Sequence, residues 1–243
     1  MTDHADRNPV FAALDTASVD EARRWAAAIG PHVGGLKLGL EFVMANGPAP
    51  VAAIAEESGK PIFLDVKLHD IPNTVAGAMR SLGTVAPAFV TIHAAGGAAM
   101  IGAARAAAEA TAGAGRRTRI LAVTVLTSLD AADLEALGQD ADPGRQVERL
   151  ARLAVDAGAD GLVCAATEIS RLRQTLGPDA VLMVPGIRPA WASSDDQKRV
   201  MTPAEAVAAG ASHIVIGRPI TRADDPAAAS RRIAAELGLA ERG

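Results

Sequence analysis

The sequence predicts a single (β/α)8 barrel, the TIM barrel fold. Eight short apolar runs recur along the chain, and Ala-rich segments with helical spacing lie between them. Several of these runs are almost continuously apolar, which is typical of parallel strands buried on both faces. Eight such units in 243 residues fit the barrel better than an open doubly wound sheet, which usually has fewer strands.

The predicted strands and helices alternate throughout the chain. The strands are residues 10–14, 35–40, 61–66, 88–93, 119–126, 161–165, 181–185 and 213–217. The clearest helices are residues 18–29, 73–82, 97–112, 146–157 and 203–209, and Ser18 suits the N-cap of the first. No linker or charge block divides the chain, so we expect one domain over residues 1–243, with polar tails at 1–8 and 238–243.

Two segments between these elements are predicted to be irregular. Residues 113–117 form a predicted loop before the fifth strand. Residues 190–199, AWASSDDQKR, are the one polar stretch long enough for a mobile lid.

Composition narrows the classes of partner. A net charge of -4 provides no basic surface for nucleic acid or an anionic membrane. Cys164 is the only cysteine, which excludes an intrachain disulfide and fits the reducing cytoplasm. No apolar stretch is long enough for a signal peptide or a transmembrane helix. We therefore expect a cytoplasmic protein, and an anionic ligand would have to be met by local cations.

Charged residues gather where the first three predicted strands end, and the strand ends of a barrel carry its catalytic groups. Asp15 follows the first strand, Lys37 lies in the second, and Asp65 and Lys67 lie at the end of the third. Asp65 and Lys67 are two apart, so strand geometry directs both side chains to one face. Asp70 follows in the loop. Spacing alone leaves two readings open, a structural ion-pair network and a catalytic array.

The segment FLDVKLHDIPNTV at residues 63–75 resembles the signature of the orotidine 5′-phosphate decarboxylase family in its bacterial form. Further segments match in the same order: LDT at 14–16, KLG at 37–39, VTIHAAGG at 90–97, VTVLTS at 123–128, VPGIRP at 184–189, DQKRVMTP at 196–203 and VIGRPIT at 215–221. Each is weak alone, but their joint order is specific. The chain departs from the family at Ala165 and Ala166, where Ser is common, and in its WASSDD lid.

The resemblance implies an enzyme that removes CO2 from C6 of orotidine 5′-phosphate to give UMP, without a cofactor or metal. Lys67 is the expected proton donor, because an ammonium group can stabilise and then protonate a carbanion. Lys37, Asp65 and Lys67 would form a catalytic array with Asp70 of the partner subunit. Thr74 would also reach the neighbouring site, so the implied protein is a homodimer.

The resemblance also implies the substrate-binding residues. Asp15 would contact the ribose and pyrimidine end, and Thr127 the pyrimidine, with Ser128 as a weaker candidate. Gly217 and Arg218 suit a phosphate site at the last strands of a barrel. The full implied set is Asp15, Lys37, Thr74, Thr127, Pro185, Arg188, Gln197, Gly217 and Arg218.

Three other residues have unremarkable interpretations. His69 and His93 lack the spacing of a metal site and are expected to support the barrel and its loops. Cys164 is expected to be a small buried apolar residue rather than a nucleophile.

Two other functions remain as alternatives. A metal-dependent sugar-phosphate lyase of the same barrel group would share the Asp-x-Lys-x-x-Asp core but lose activity in EDTA. A non-catalytic phosphate-metabolite binding protein would keep the phosphate site alone. Retention of Lys37, Asp65, Lys67 and Asp70 favours the decarboxylase.

Overall fold

The computed structural model describes residues 8–112, 117–192 and 201–239. Its strands are β1 Val10–Ala13, β2 Gly35–Gly39, β3 Ile62–Leu68, β4 Phe89–His93, β5 Arg119–Val123, β6 Gly161–Val163, β7 Val181–Val184 and β8 His213–Ile216. They form a closed barrel in chain order, which confirms the predicted fold class. Each predicted strand is present, with bounds within about three residues of those expected.

Eleven α-helices alternate with these strands in the described part of the chain. They are α1 Val19–Ile29, α2 Leu40–Asn46, α3 Ala49–Ser58, α4 Pro72–Leu82, α5 Gly97–Thr111, α6 Ala131–Ala136, α7 Pro143–Asp156, α8 Ile169–Leu176, α9 Pro203–Ala208, α10 Arg218–Thr221 and α11 Pro226–Glu236. None of these helices is both long enough and apolar enough to cross a membrane.

Local capping chemistry sets several helix starts. Ser18 caps α1 as predicted, and its side chain accepts a hydrogen bond from the Glu21 N–H. Helix α7 begins at Pro143, before the predicted residue 146, because Asp142 accepts hydrogen bonds from the N–H groups of Gly144 and Arg145. An Asp N-cap followed by Pro is a strong start signal that the apolar spacing alone does not reveal.

The chain divides into two compact units. The first unit contains the described residues of 1–65 and 184–243, and the second contains those of 66–183. In the first unit, the rings of Phe11 and Phe63 meet edge to face at 6.3 Å between centroids. A Cβ at Gly35 would lie 2.2 Å from the Phe11 ring, so only glycine fits there.

The second unit has its own buried core around β4, β5 and β6. Helices α4 and α5 pack against each other, and Ile92, Ile101 and Leu121 are fully buried. At Gly161 a Cβ would lie 2.0 Å from the Val181 carbonyl oxygen, so this residue too must be glycine. In each unit, therefore, a strand glycine allows a close approach, of an aromatic ring at Gly35 and of backbone at Gly161.

Candidate active site

Three charged residues of the first unit meet on or just beyond β1, β2 and β3. Lys37 Nζ donates to Asp15 Oδ1 at 2.9 Å and lies 4.0 Å from Asp65 Oδ2. The side chains of Lys37 and Asp65 are 12% and 17% exposed, whereas that of Asp15 is 60% exposed. One partly buried ammonium group thus lies between a partly buried carboxylate and an exposed one.

Two glycines leave space beside this cluster. A Cβ at Gly39 would lie 3.2 Å from Lys37 Nζ and 3.7 Å from Asp15 Oδ1. A Cβ at Gly217 would lie 3.4 Å from the Cβ of Ala13 and 3.7 Å from Asp15 Oδ2. Side chains at these positions would crowd the exposed side of Asp15, so the two glycines keep it accessible to a ligand.

The residues predicted for the phosphate end also lie in the first unit. Arg188 is only 6% exposed, and its backbone N–H donates to the Met201 carbonyl at 3.2 Å. Arg218 is exposed and opens α10 directly after Gly217. Pro185 follows β7. Gln197, most of the predicted lid and residues 113–116 of the predicted loop lie outside the described residues.

In the second unit, Lys67 has an unusual backbone conformation. Its φ is 49°, in the left-handed region that residues other than glycine rarely adopt. Such a conformation costs about 1–3 kcal/mol and persists only where surrounding contacts enforce it. One such contact is a 2.9 Å hydrogen bond from the Lys67 N–H to Oγ1 of the fully buried Thr91. The regular alternation of strand side chains therefore does not hold at Lys67.

Sequence reasoning did not identify Thr91. The only signal for it is a polar residue inside the apolar strand β4, FVTIH, and a buried hydroxyl normally has a hydrogen-bond partner. That partner could not be assigned to Lys67 without the structure, because the two residues are 24 positions apart.

Asp70 and Thr74 lie in an exposed run, residues 69–74, between β3 and the first turn of α4. Asp70 Oδ1 accepts the Ile71 N–H at 2.6 Å. The Ile71 side chain is 67% exposed, which is unusual for a large apolar residue. This run therefore combines two polar residues of the predicted site with an uncovered apolar side chain.

The remaining candidates of the second unit lie near strand ends. Thr127 is exposed in the loop between β5 and α6. The rings of His69 and His93 lie 5.3 Å apart. Cys164 is buried just after β6, and that burial raises the pKa of its thiol. Such a thiol is a poor nucleophile.

Glu168 is a further, partly buried acid that the sequence did not single out. It follows β6, and its carboxylate accepts the Ala165 N–H at 2.9 Å. Burial raises the pKa of Glu168, and the hydrogen bond from Ala165 opposes that shift. Within residues 8–112, 117–192 and 201–239, no group of three or more His, Cys, Asp or Glu side chains could hold a metal ion.

Known proteins resemble this chain over nearly its whole length. The curated orotidine 5′-phosphate decarboxylase of Thermobifida fusca is 55% identical over 229 residues, covering 94% of this chain and 95% of that protein. The one from Gluconobacter oxydans is 52% identical over 235 residues, covering 96% and 99%. The crystal structure of orotidine 5′-phosphate decarboxylase from Lactobacillus acidophilus superposes with a TM-score of 0.84 at 35% identity, covering 95% and 99%.

A family model gives the same result. The model described as the orotidine 5′-phosphate decarboxylase / HUMPS family matches residues 8–233, which include every described residue of the Asp15–Lys37–Asp65 cluster as well as Lys67 and Asp70. With this match and relatives more than half identical over nearly the full length, the chain belongs to the orotidine 5′-phosphate decarboxylase / HUMPS family.

Proposed function

We propose that this chain converts orotidine 5′-phosphate to UMP in the cytoplasm, as a step of de novo pyrimidine biosynthesis, without a cofactor or metal. The observation that carries the proposal is the strained backbone of Lys67, held by Thr91, in a chain whose relatives are named as this decarboxylase. Strain of this kind persists at functional sites because it fixes the direction of a reacting group.

In the proposed reaction, the bond between C6 and the carboxylate breaks and its electron pair stays on C6. Lys67 stabilises that charge and then transfers a proton from Nζ to C6, while CO2 leaves. Lys37 and Asp65 hold the charge array, together with Asp70 of the partner subunit. A positioned general acid of this kind contributes by electrostatic stabilisation as well as by proton transfer.

Repulsion between Asp65 and the substrate carboxylate makes a smaller contribution. Two like charges ~4 Å apart repel by about 4 kcal/mol at an effective dielectric of ~20. Enzymes commonly lower barriers by ~8–23 kcal/mol. Carbanion stabilisation by Lys67 and binding energy from the distant phosphate therefore supply the larger share.

The proposed substrate contacts come mainly from the first unit. Asp15 faces the ribose, and a phosphate grip is formed by Pro185, Arg188, Gln197, Gly217 and Arg218. Arg188, which is 6% exposed, supplies a planar guanidinium that suits the bidentate recognition of phosphate oxygens. Thr127 contacts the pyrimidine in this proposal, and Thr74 acts on the neighbouring subunit's ligand.

The proposed assembly is a homodimer in which Asp70 and Thr74 serve the partner's site. The exposed run 69–74 supports this arrangement, because Ile71 in its middle leaves an apolar side chain that a second subunit would cover.

The direct test follows the loss of ultraviolet absorbance when purified chain is mixed with orotidine 5′-phosphate, with and without EDTA. We expect turnover that EDTA leaves unchanged. Activity abolished by EDTA would instead favour the metal-dependent lyase. UMP binding without any turnover would favour a non-catalytic phosphate-metabolite binding protein.

A mixing experiment tests the shared site. Lys67→Ala and Asp70→Ala chains are each expected to be inactive alone. After unfolding and refolding together, a heterodimer would contain one site with both native residues, so about a quarter of the parent specific activity should return. If Asp70 served its own chain, no site would recover both residues and activity would stay absent.

A further inference from the structure

Trp191 stands three residues after Arg188, at the start of the WASSDD segment in which this chain departs from the family resemblance. It lies in a tight turn, in which the Ala192 N–H donates to the Pro189 carbonyl at 3.0 Å. A large aromatic ring in such a turn can anchor the backbone if another element holds the ring.

Helix α11 holds the ring of Trp191. The guanidinium carbon of Arg232 lies 4.6 Å from the centroid of the ring, within cation–π range. The indole Nε1 is buried, and it has no hydrogen-bond acceptor among the residues that the structure describes. The position of the ring is therefore set by packing and by Arg232 rather than by a hydrogen bond within the described chain.

The backbone between Trp191 and Arg188 has little freedom. Pro189 has a fixed φ, and a residue before proline, here Arg188, is restricted to extended conformations. The Arg188 N–H is also bonded to the Met201 carbonyl at 3.2 Å. Few torsions therefore remain by which the Arg188 backbone could move while the Trp191 ring stays in place.

The same helix reaches the residues that follow Met201. Thr202 caps α9, and both its N–H and its hydroxyl donate to Glu205 at 2.8 Å. Glu236 lies one turn beyond Arg232 on α11, and its pKa is raised by burial, with Arg232 opposing and Glu205 adding to that shift. Helix α11 also packs against α9, which Thr202 caps, and Arg232 contacts Trp191, so α11 lies close to both backbone segments that meet at Arg188.

We propose that Trp191 is a positioning residue for Arg188: its ring, held by Arg232 of α11, fixes the turn that directs the Arg188 guanidinium toward the substrate's 5′-phosphate. The inference rests on the proposed function, because it takes the phosphate of orotidine 5′-phosphate as the anion that Arg188 binds. It adds two residues, Trp191 and Arg232, that no family signature segment contains.

The test compares Trp191→Ala, Trp191→Phe and Arg232→Gln with the parent. The matched control is Arg231→Gln, because Arg231 is the neighbour on the same helix but lies 3.4 Å from His32 Nε2 instead. For each protein we would measure kcat and KM for orotidine 5′-phosphate, and inhibition constants for UMP and uridine. A thermal melt establishes that each variant is folded.

A positioning role predicts a phosphate-specific loss. Trp191→Ala should raise KM and the UMP inhibition constant roughly 10-fold, with kcat changed less than about twofold and uridine inhibition unchanged. Arg232→Gln should raise both constants about 2- to 5-fold, and Trp191→Phe by less than the alanine change, because Phe keeps a weaker cation–π face. Arg231→Gln should match the parent.

The inference would be overturned if the ratio of the UMP inhibition constant to the uridine inhibition constant were the same in Trp191→Ala and in the parent. If Trp191→Ala does not fold, Arg232→Gln provides the test, because the Arg232 side chain is exposed. An unchanged ratio of the two inhibition constants in Arg232→Gln would also overturn the inference. If the parent turns over orotidine 5′-phosphate but the variants keep its KM and inhibition constants, this inference is refuted and the proposed function is not. A parent that bound neither orotidine 5′-phosphate nor UMP would refute the proposed function and the inference with it.

Discussion

Each compact unit has a charged cluster near strand ends, and the two clusters differ in how far their carboxylates are exposed. Before β5 and β6, Asp160 receives two hydrogen bonds from Arg117 and one from the Ile120 N–H, with Arg105 3.7 Å away. In the first unit, near the C-terminal ends of β1 to β3, the ammonium of Lys37 lies 2.9 Å from Asp15 and 4.0 Å from Asp65. The Asp160 side chain is only 13% exposed, whereas that of Asp15 in the second cluster is 60% exposed and accessible to a ligand.

The comparison distinguishes charged groups that stabilise the fold, around Asp160, from charged groups proposed to act on the substrate, around Lys37. Both clusters contain partly buried carboxylates beside cations, so burial and proximity alone do not distinguish them. The difference is the exposed carboxylate of Asp15, together with the strained backbone that Lys67 shows beyond Asp65 on β3. Substitutions in the two clusters should therefore affect different observables.

The largest effect is expected at Lys67. Lys67→Ala should lower turnover at least ~10³-fold, because it removes both the proton donor and the charge that stabilises the carbanion. UMP binding and the thermal melt should stay close to those of the parent. The control is Lys60→Met, since the Lys60 ammonium donates to the Val33 carbonyl at 3.0 Å and has no place in the proposed site. Substantial turnover in Lys67→Ala would remove this residue from the mechanism.

The next largest effect is a loss of stability in the Asp160 cluster. Asp160→Ala should lower the free energy of unfolding by about 3 kcal/mol, because it leaves a partly buried Arg117 and the Ile120 N–H without their acceptor. Urea unfolding measures that loss, and kcat of the folded fraction should be unchanged. A fall in kcat with parent-like stability would contradict the distinction between the clusters.

A smaller, mixed effect is expected at Thr91. Thr91→Val removes the acceptor for the Lys67 N–H and should cost about 1–3 kcal/mol of stability. Because Lys67 loses a contact that enforces its left-handed backbone, kcat should also fall, by roughly 10-fold.

Thr124→Val is the matched control for Thr91→Val. Thr124 is also buried, but its Oγ1 has no hydrogen-bond partner among the described residues. Its replacement should therefore leave both stability and kcat near the parent values. Equal effects of the two valine substitutions would argue against a special role for Thr91.

The smallest effect is a pH dependence at Glu168. Folding raises the pKa of Glu168 through burial, so the folded state holds this proton more tightly than the unfolded state. The stability that the proton contributes is complete below the unfolded value of 4.5 and is lost as pH rises through the folded pKa. Glu168→Gln keeps an acceptor for the Ala165 N–H but cannot ionise, so it should be more stable than the parent at pH 7 but not at pH 4.

Glu205→Gln provides a control of opposite sign. Hydrogen bonds from Thr202 lower the pKa of Glu205, so its contribution to stability is present above the unfolded value and is lost as pH falls. Unfolding measured across pH 4 to 7 should therefore show Glu205→Gln less stable than the parent at pH 7. Parallel pH profiles for the two variants would contradict both assignments.

Much of the fold could be predicted from local sequence patterns, and the errors in the predicted strand and helix bounds have local causes. The apolar run of the third strand ends at Val66, but β3 continues to Leu68. The extension begins with the charged Lys67, which ends the apolar run, so hydropathy did not reveal it, and the Lys67 N–H is held there by Thr91 from the next strand. The early start of α7 was missed for a different reason, because its cap residue Asp142 lies outside the apolar spacing.

The sequence by itself determined the barrel, the family and the types of residue at the candidate site. Apolar runs and helical spacing record which segments are buried, and ordered motifs record kinship. Tertiary structure decided which side chains meet: Lys37 with Asp15 across 22 positions, and Arg232 over the ring of Trp191. It also decided the left-handed backbone of Lys67. These contacts join residues far apart in the chain, and only packing of the strands and helices brings such residues within bonding distance.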